Sequence, residues 1–220
     1  MVDVIIIGAG GHAAEIDEYI AYNNKVSGKG GINVIGFLDD NPDNYARYGF
    51  SAPLLGGATD HKVIKGQGYI IGIAGIEFRR FFVKKFIDEG AHFESLIHGS
   101  AYISPSASLG EGIIIGPNAN IGPNAVIGNY TLVNARCSIG HDTRIGDFNL
   151  ISPNVCFSGF SSVGDENLFG INCATLPGTS IGSRNKIAAG MVMDQNIGDD
   201  TVVFYRLKER VIAIPKVKSE

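Results

Sequence analysis

A six-residue period from Ile103 to Gly198 is the feature that most restricts how this chain can fold. The first position of each successive hexad is apolar in fifteen of sixteen cases, and the position after it is glycine in nine. A series of hairpins would instead show two-residue alternation. The unbroken period therefore predicts a solenoid, in which each repeat buries its apolar residue against the next coil. The first positions are Ile103, Leu109, Ile115, Ile121, Ile127, Val133, Ile139, Ile145, Ile151, Phe157, Val163, Phe169, Thr175, Ile181, Ile187 and Met193.

A period of six suits a triangular coil, in which each hexad gives a short strand and a corner. Three hexads then make one turn, and the repeat supplies about five turns. With strands stacked roughly 4.8 Å apart, the predicted prism is about 25 Å tall.

Composition excludes several classes of function. A net charge of −4 without a basic stripe disfavours a nucleic-acid-binding protein. We recognise no signal peptide and no apolar run long enough to span a membrane, so we expect a cytoplasmic protein. The cysteines, Cys137, Cys156 and Cys173, lie in the repeat without metal-type spacing, and we expect them to be small buried residues in a reducing compartment.

The 220 residues suffice for one large or two small domains. We divide the chain into an α/β domain at 1–98, the prism at 99–198 and a tail at 199–220. In the first domain, the pattern predicts strands at 2–7, 33–38, 69–74 and 93–97, and helices after residue 11 and around 78–87. This domain is expected to cover one open end of the prism, and the tail is expected to cap the other.

A glycine-rich turn links the first strand to the first helix, in the sequence Gly8-Ala9-Gly10-Gly11-His12-Ala13. Such a turn brings the backbone and a helix N-terminus close to a phosphate. Asp39 and Asp40 end the next strand, where a carboxylate can accept a hydrogen bond from a ribose hydroxyl. A tight turn without a ligand is the alternative. A nicotinamide cofactor is disfavoured because only half of a dinucleotide fold is present, which suits one nucleotide with a diphosphate, such as a nucleotide sugar.

His141 is the only one of five histidines inside the repeat, so a metal site built from several imidazoles is disfavoured. Because it follows Ile139-Gly140, it lies outside the apolar row. Two interpretations remain open: a solvated side chain on the prism surface, or a general base near neutral pH. Asp142 would support the base if the pair lies at a corner. Asn134, at a position usually occupied by glycine, either positions a substrate or turns a corner.

Four motifs stand out when both parts of the chain are considered together: Gly8-Ala9-Gly10-Gly11-His12, Phe37-Leu38-Asp39-Asp40, Ile139-Gly140-His141-Asp142 and Leu168-Phe169-Gly170-Ile171-Asn172. With these motifs, the chain resembles the PglD/NeuD-like family of bacterial sugar acetyltransferases, which have a Rossmann-like half-domain followed by a left-handed parallel β-helix.

The resemblance implies a role for particular residues. His141 would be the base, supported by Asp142, and Gly159 would donate its N–H to the thioester oxyanion. The remaining implied contacts are with the nucleotide sugar for Gly10, Gly11, His12, Asp39, Asp40, Ala74 and Asn134, and with acetyl-CoA for Gly159, Ile171 and Ala189.

Two features depart from the family pattern. Leu150 stands where some relatives have a histidine that contacts CoA, so that contact is not carried over. The tail reads Phe204-Tyr205-Arg206-Leu207, with Pro215 much later, where many relatives have a Gly-x-Pro-Ala-Lys-like segment. Arg206, Lys208 and Arg210 could meet the CoA phosphates.

The resemblance implies an acetyl-CoA-dependent N-acetyltransferase that acts on the 4-amino group of a nucleotide-linked 4-amino-4,6-dideoxysugar, with no metal. It also implies a homotrimer in which acetyl-CoA lies between two prisms. The alternatives are O-acetylation of a sugar hydroxyl, as in sialic acids, and a non-catalytic scaffold that binds nucleotide sugars. The identity of the nucleotide and the stereochemistry of the sugar stay open.

Overall fold

The computed structural model describes residues 1–27 and 31–205. The first domain is an α/β layer structure with a parallel sheet in the order β3-β2-β1-β4-β5. Its elements are β1 (Val2–Ile7), α1 (Gly11–Ser27), β2 (Ile32–Leu38), α2 (Pro42–Tyr45), β3 (Leu54–Gly56), β4 (Gly68–Ile71), α3 (Ile76–Asp88) and β5 (His92–Phe93).

The central strands of this sheet are the apolar runs that the sequence predicts. The last four residues of β1 and all of β4 are buried, as expected for strands covered on both faces. The described sheet has five strands where the sequence predicts four, and the additional strand is the short β3. The predicted strand at 93–97 is in fact two strands, of which only β5 belongs to this sheet.

Up to residue 205, the prism consists of eighteen two-residue strands in three parallel sheets, in which strands one turn apart pair with each other. Its strands are β6 (Leu96–Ile97), β7 (Tyr102–Ile103), β8 (Ser108–Leu109), β9 (Ile114–Ile115), β10 (Asn120–Ile121), β11 (Val126–Ile127), β12 (Leu132–Val133), β13 (Ser138–Ile139), β14 (Arg144–Ile145), β15 (Leu150–Ile151), β16 (Cys156–Phe157), β17 (Ser162–Val163), β18 (Leu168–Phe169), β19 (Ala174–Thr175), β20 (Ser180–Ile181), β21 (Lys186–Ile187), β22 (Val192–Met193) and β23 (Val202–Val203).

The predicted apolar row forms the core of the prism. Most of its residues are buried, and residues outside the row such as Cys137 and Cys173 join the same cluster. The prediction for Cys156 is wrong, because it is exposed and precedes the inward-facing Phe157 on its strand. From Gly112 to Gly190, the fourth position of every hexad has a positive φ, between 53° and 75°. Each corner therefore contains one left-handed residue.

The sequence predicts that the first domain covers one open end of the prism. In the structure, it packs along one flank of the prism instead. Ile114, Leu132 and Leu150 point outward from one sheet of the prism and belong to the apolar cluster of the first domain. Arg79 links the first domain to the prism. Its buried guanidinium donates to the carbonyls of Ile71 and Ile73 in the first domain and to that of Tyr130 in the prism. Burial lowers the pKa of Arg79 to about 9.

The ends of the prism differ from the predicted division of the chain. β6 pairs with β9 and so belongs to the prism, although it lies within 1–98. At the other end, β23 pairs with β21 after a turn shortened by two residues, so part of the predicted tail continues the prism. Arg206, Lys208, Arg210 and Pro215 lie outside the described residues. Within the described part of the chain, no helix combines the length and apolarity needed to cross a membrane.

Candidate active site

The strongest candidate site lies at one of the three corners of the prism, where the chain passes from β13 to β14. Apart from Gln195 in the shortened last turn, the third hexad positions at this corner are Pro105, Pro123, His141, Gly159 and Pro177, one per turn. We call this column the histidine corner. Proline has no N–H, so His141 and Gly159 are the residues of the column that can donate from the backbone. No acceptor within residues 1–27 and 31–205 pairs with either of these two N–H groups.

His141 and Asp142 form a hydrogen-bonded pair at this corner, so the predicted contact is confirmed. The distance from Nδ1 of His141 to Oδ2 of Asp142 is 2.9 Å. On a flat strand, neighbouring side chains point to opposite faces, but Asp142 has a φ of 57°, which turns its side chain toward His141. A carboxylate only accepts, so Nδ1 donates this hydrogen bond, and in the neutral imidazole Nε2 keeps the lone pair. This is the arrangement of a general base.

Gly159 lies directly against the imidazole of His141. A Cβ at residue 159 would lie 2.7 Å from both Nε2 and Cε1 of that ring. Only glycine therefore allows the ring to rest on the next turn of the chain. Phe160 meets the same imidazole edge to face, with ring centroids 5.0 Å apart. The ring is held on two sides, yet 55% of the His141 side chain remains exposed.

A buried polar cluster lies beneath Gly159 and explains the single polar residue of the apolar row. Thr175 is buried, and its Oγ1 accepts from the N–H of Ser158 at 3.0 Å. The hydroxyl of Ser161 lies 2.8 Å from the same Oγ1 and donates to the carbonyl of Ser158 at 2.7 Å. Ser158 and Thr175 both break the repeat, and both brace the turn that presents Gly159. Sequence reasoning did not assign this supporting role, although those breaks were its signal.

The other prism residues implied by the resemblance lie at a different corner. Asn134, Ile171 and Ala189 stand where the chain passes into the sheet that contains β13 and β16, so one face of the prism separates them from His141. Asn134 accepts a hydrogen bond from the N–H of Ala135 at 2.7 Å, which supports its interpretation as a corner residue. Ile171 is 49% exposed. Leu150 packs against the first domain, consistent with not carrying over a CoA contact there.

The glycine turn lies at the carboxyl end of β1, next to the point where the strand order of the first sheet reverses. This is where parallel α/β sheets bind ligands. A Cβ at Gly10 would meet no atom within 4 Å, so the backbone there is open to approach. His12 follows at the start of α1. Its Nδ1 lies 3.2 Å from Oε2 of Glu15, while its buried Nε2 has no partner among the described residues. Burial lowers the pKa of His12.

The two predicted ribose acceptors already accept hydrogen bonds from the protein. Asp39 binds the N–H of Ala9 through Oδ2, at 2.8 Å, which fastens the glycine turn to β2. Asp40 accepts from the N–H and the hydroxyl of Thr59, at 2.9 and 2.6 Å. Partial burial alone would raise the pKa of Asp40, but these bonds lower it overall. Ala74 lies half-buried just beyond β4, so the first-domain residues of the prediction gather at one edge.

Two sequence families match this chain. The PglD N-terminal domain matches residues 3–86, and the bacterial transferase hexapeptide (six repeats) matches residues 94–129. No curated protein sequence matches at a significant level.

Solved structures similar to this one cover both domains. The acetyltransferase domain of PglB from Neisseria gonorrhoeae, in complex with acetyl coenzyme A, is 26% identical with a TM-score of 0.80, over 91% of this chain and 94% of that one. PerB from Caulobacter crescentus, in complex with CoA and GDP-perosamine, is 25% identical with a TM-score of 0.76, over 92% and 93%. WeeI from Acinetobacter baumannii has the same fold at 19% identity and a TM-score of 0.77, over 92% and 96%. With an N-terminal domain of the PglD type joined to a left-handed hexapeptide-repeat prism, the chain is an acyltransferase that resembles the PglD/NeuD-like sugar acetyltransferases.

Proposed function

We propose that this protein transfers the acetyl group of acetyl-CoA to the 4-amino group of a nucleotide-linked 4-amino-4,6-dideoxysugar. The observation that carries the proposal is the His141–Asp142 pair, with its free Nε2 beside Gly159 on an exposed corner. The PglB and PerB structures, solved with acetyl coenzyme A or with CoA and GDP-perosamine, support the choice of both substrates.

The reaction needs no covalent intermediate with the protein. The amine nitrogen attacks the thioester carbonyl while Nε2 of His141 accepts a proton from that nitrogen. The N–H of Gly159, which has no acceptor among the described residues, donates to the oxyanion that develops on the carbonyl oxygen. The intermediate collapses to an amide, and CoA leaves as a thiolate that takes up a proton. Asp142 keeps the imidazole in the required tautomer throughout.

The nucleotide portion is assigned to the carboxyl edge of the first sheet. The open backbone at Gly10 and the exposed position of Gly11 suit a diphosphate at the N-terminus of α1. The neutral His12 offers a buried Nε2 lone pair, which suits a hydroxyl or N–H donor of the ligand. Oδ1 of Asp39 already accepts from Asn41 and Asn44, but its Oδ2 accepts one hydrogen bond, as does Oδ2 of Asp40, so each of these Oδ2 atoms retains a lone pair for the ribose. Ala74 lines the same edge.

The acetyl-CoA contacts assigned to Ile171 and Ala189 lie at a different corner from His141. A second prism that presents this corner to the histidine corner of the first would bring the two halves of the site together, and Asn134 would approach the sugar. We therefore include a homotrimer, with acetyl-CoA bound between adjacent prisms, in the proposal.

A thiol-release assay tests this proposal. Acetyl-CoA is presented with UDP-, GDP- and dTDP-linked 4-amino-4,6-dideoxysugars, and each amino sugar is matched by the analogue with a 4-hydroxyl group. Release of CoA with one amino sugar and not with its hydroxyl analogue is the expected result. Release with hydroxyl acceptors alone would favour O-acetylation, and failure to bind CoA would favour a non-catalytic scaffold. Either outcome would overturn the proposal.

A further inference from the structure

Asp142 makes a second hydrogen bond besides the one to His141. Its Oδ1 accepts from Nδ2 of Asn124 at 3.1 Å, while its Oδ2 faces the imidazole. Asn124 is the residue directly beneath Asp142, one turn earlier at the same corner. The three side chains thus form a chain from amide to carboxylate to imidazole.

We propose that Asn124 is a positioning residue that orients Asp142, and through it the imidazole of His141, for proton transfer. The inference rests on the proposed function of His141 as a general base. A carboxylate only accepts, so the amide must present its NH₂ group to Oδ1, and the orientation of Asn124 is defined. With Oδ1 occupied, Oδ2 is left for Nδ1 of the imidazole.

The carboxylate requires such a partner because it stands on the surface. The side chain of Asp142 is 36% exposed, and at an exposed corner a single bond to an imidazole leaves it free to rotate toward water. The hydrogen bonds from His141 and Asn124 together lower the pKa of Asp142, which keeps it ionised and therefore able only to accept.

Asn124 is itself held in place by the turns on either side. Its N–H donates to Oγ of Ser106, in the turn below, at 3.0 Å. In the turn above, the backbone of Asp142 is fixed because its N–H donates to the carbonyl of Pro123 at 2.8 Å. Asn124 has a φ of 57°, a conformation that asparagine adopts more readily than most residues.

The chain provides a matched control in Asn118. It has a φ of 56°, and its N–H donates to Oγ of Ser100 at 3.0 Å, as Asn124 does to Ser106. It stands at the preceding corner, between β9 and β10, with Arg136 in the turn above it instead of an acidic residue. Glycine is the preferred replacement at both positions, because it removes the amide without straining a left-handed backbone.

The first test is a double-mutant cycle on the acetyl-transfer rate. We expect Asn124→Gly to lower kcat about 10-fold with little change in either KM, and Asn118→Gly to leave kcat nearly unchanged. In an Asp142→Ala background, Asn124→Gly should cause no further loss, because its effect passes through that carboxylate. Losses that multiply in the double variant, or an equal loss in Asn118→Gly, would overturn the inference.

The second test does not depend on activity. The ring nitrogens of His141 are observed by ¹⁵N NMR, and their signals are assigned by their absence in His141→Asn. We expect protonation at Nδ1 in the wild type and in Asn118→Gly, and a mixture of tautomers in Asn124→Gly. An unchanged tautomer in Asn124→Gly would overturn the inference. An active His141→Asn enzyme would instead defeat the general-base mechanism, so the two failures are distinguishable.

Discussion

Two corners of the same prism have nearly the same backbone and opposite chemistry. At the corner between β8 and β9, the third hexad positions are Glu111, Asn129, Asp147, Asp165 and Ser183. Each of their N–H groups is accepted by a side chain of the following turn, over distances from 2.6 to 3.0 Å. We call this column the capped corner. At the histidine corner, proline replaces the donor in three turns, and His141 and Gly159 keep theirs without an acceptor in the described chain.

The difference shows how a repeat can carry a site without losing its regularity. At the capped corner, short polar side chains accept hydrogen bonds from the backbone N–H groups, and the corner stabilises the folded state. At the histidine corner, the same positions project an imidazole and an unpaired N–H toward solvent, and the supporting bonds come from the fourth position and from a buried cluster below. The two corners should therefore respond to substitution in opposite ways.

The largest effect is expected for Gly159→Ala. The added Cβ would lie 2.7 Å from two ring atoms of His141, so the imidazole must move while the fold remains intact. This movement of the imidazole away from its position should lower kcat about 100-fold with little change in the midpoint of unfolding. Gly198→Ala is the control, because a Cβ there would meet no atom within 4 Å. Equal losses in the two variants would mean that the contact with His141 is unimportant.

The capped corner should show the reverse behaviour. Asp147→Ala removes the acceptor for the N–H of Asn129, at 2.6 Å, and should lower the free energy of unfolding by about 1 kcal/mol while kcat stays near the wild-type value. Asp147→Asn keeps an acceptor oxygen and should lose less. Urea unfolding monitored beside the activity assay gives both quantities. A fall in kcat without a fall in stability would contradict the assignment of this corner as structural.

A smaller effect concerns the pH dependence of stability at the histidine corner. Hydrogen bonds from His141 and Asn124 lower the pKa of Asp142 in the folded protein. A lowered carboxyl pKa contributes stability above the unfolded value of 3.8, and that contribution is lost as the pH falls through the folded value. The wild type should therefore unfold at a higher temperature than Asp142→Asn at neutral pH, and the difference should shrink below pH 3.8. A difference that grows on acidification would contradict this account.

The repeat could be predicted from the sequence because its rule is local and recurs every six residues. The row from Ile103 to Met193 fixed which residues face inward, and the structure confirms it. The short strand β3 could not be predicted, because three half-exposed residues carry no apolar run. The contact between His141 and Asp142 stayed a hypothesis until the left-handed φ of Asp142 was known.

Two other features, the contact between Asn124 and Asp142 and the covered flank of the prism, become visible only when the sequence is written in rows of eighteen residues. Asn124 then falls directly below Asp142. The outward residues of one sheet then form an apolar column, which marks the flank that the first domain covers. That column is Leu96, Ile114, Leu132, Leu150 and Leu168. The period along the chain predicts burial, whereas these contacts join residues of different turns.

The most direct test of the account compares two exposed histidines that each have an acidic partner. His141 pairs with Asp142 at 2.9 Å, and His92 pairs with Glu94 at 3.4 Å in the first domain, away from the histidine corner. The rate of CoA release is measured for His141→Asn and His92→Asn with the amino sugar that the wild type acetylates. A loss of about 10² to 10⁴-fold in His141→Asn, with His92→Asn near the wild-type rate, is the predicted result. A His141→Asn enzyme that keeps the wild-type rate would contradict the central claim that this corner performs the proton transfer.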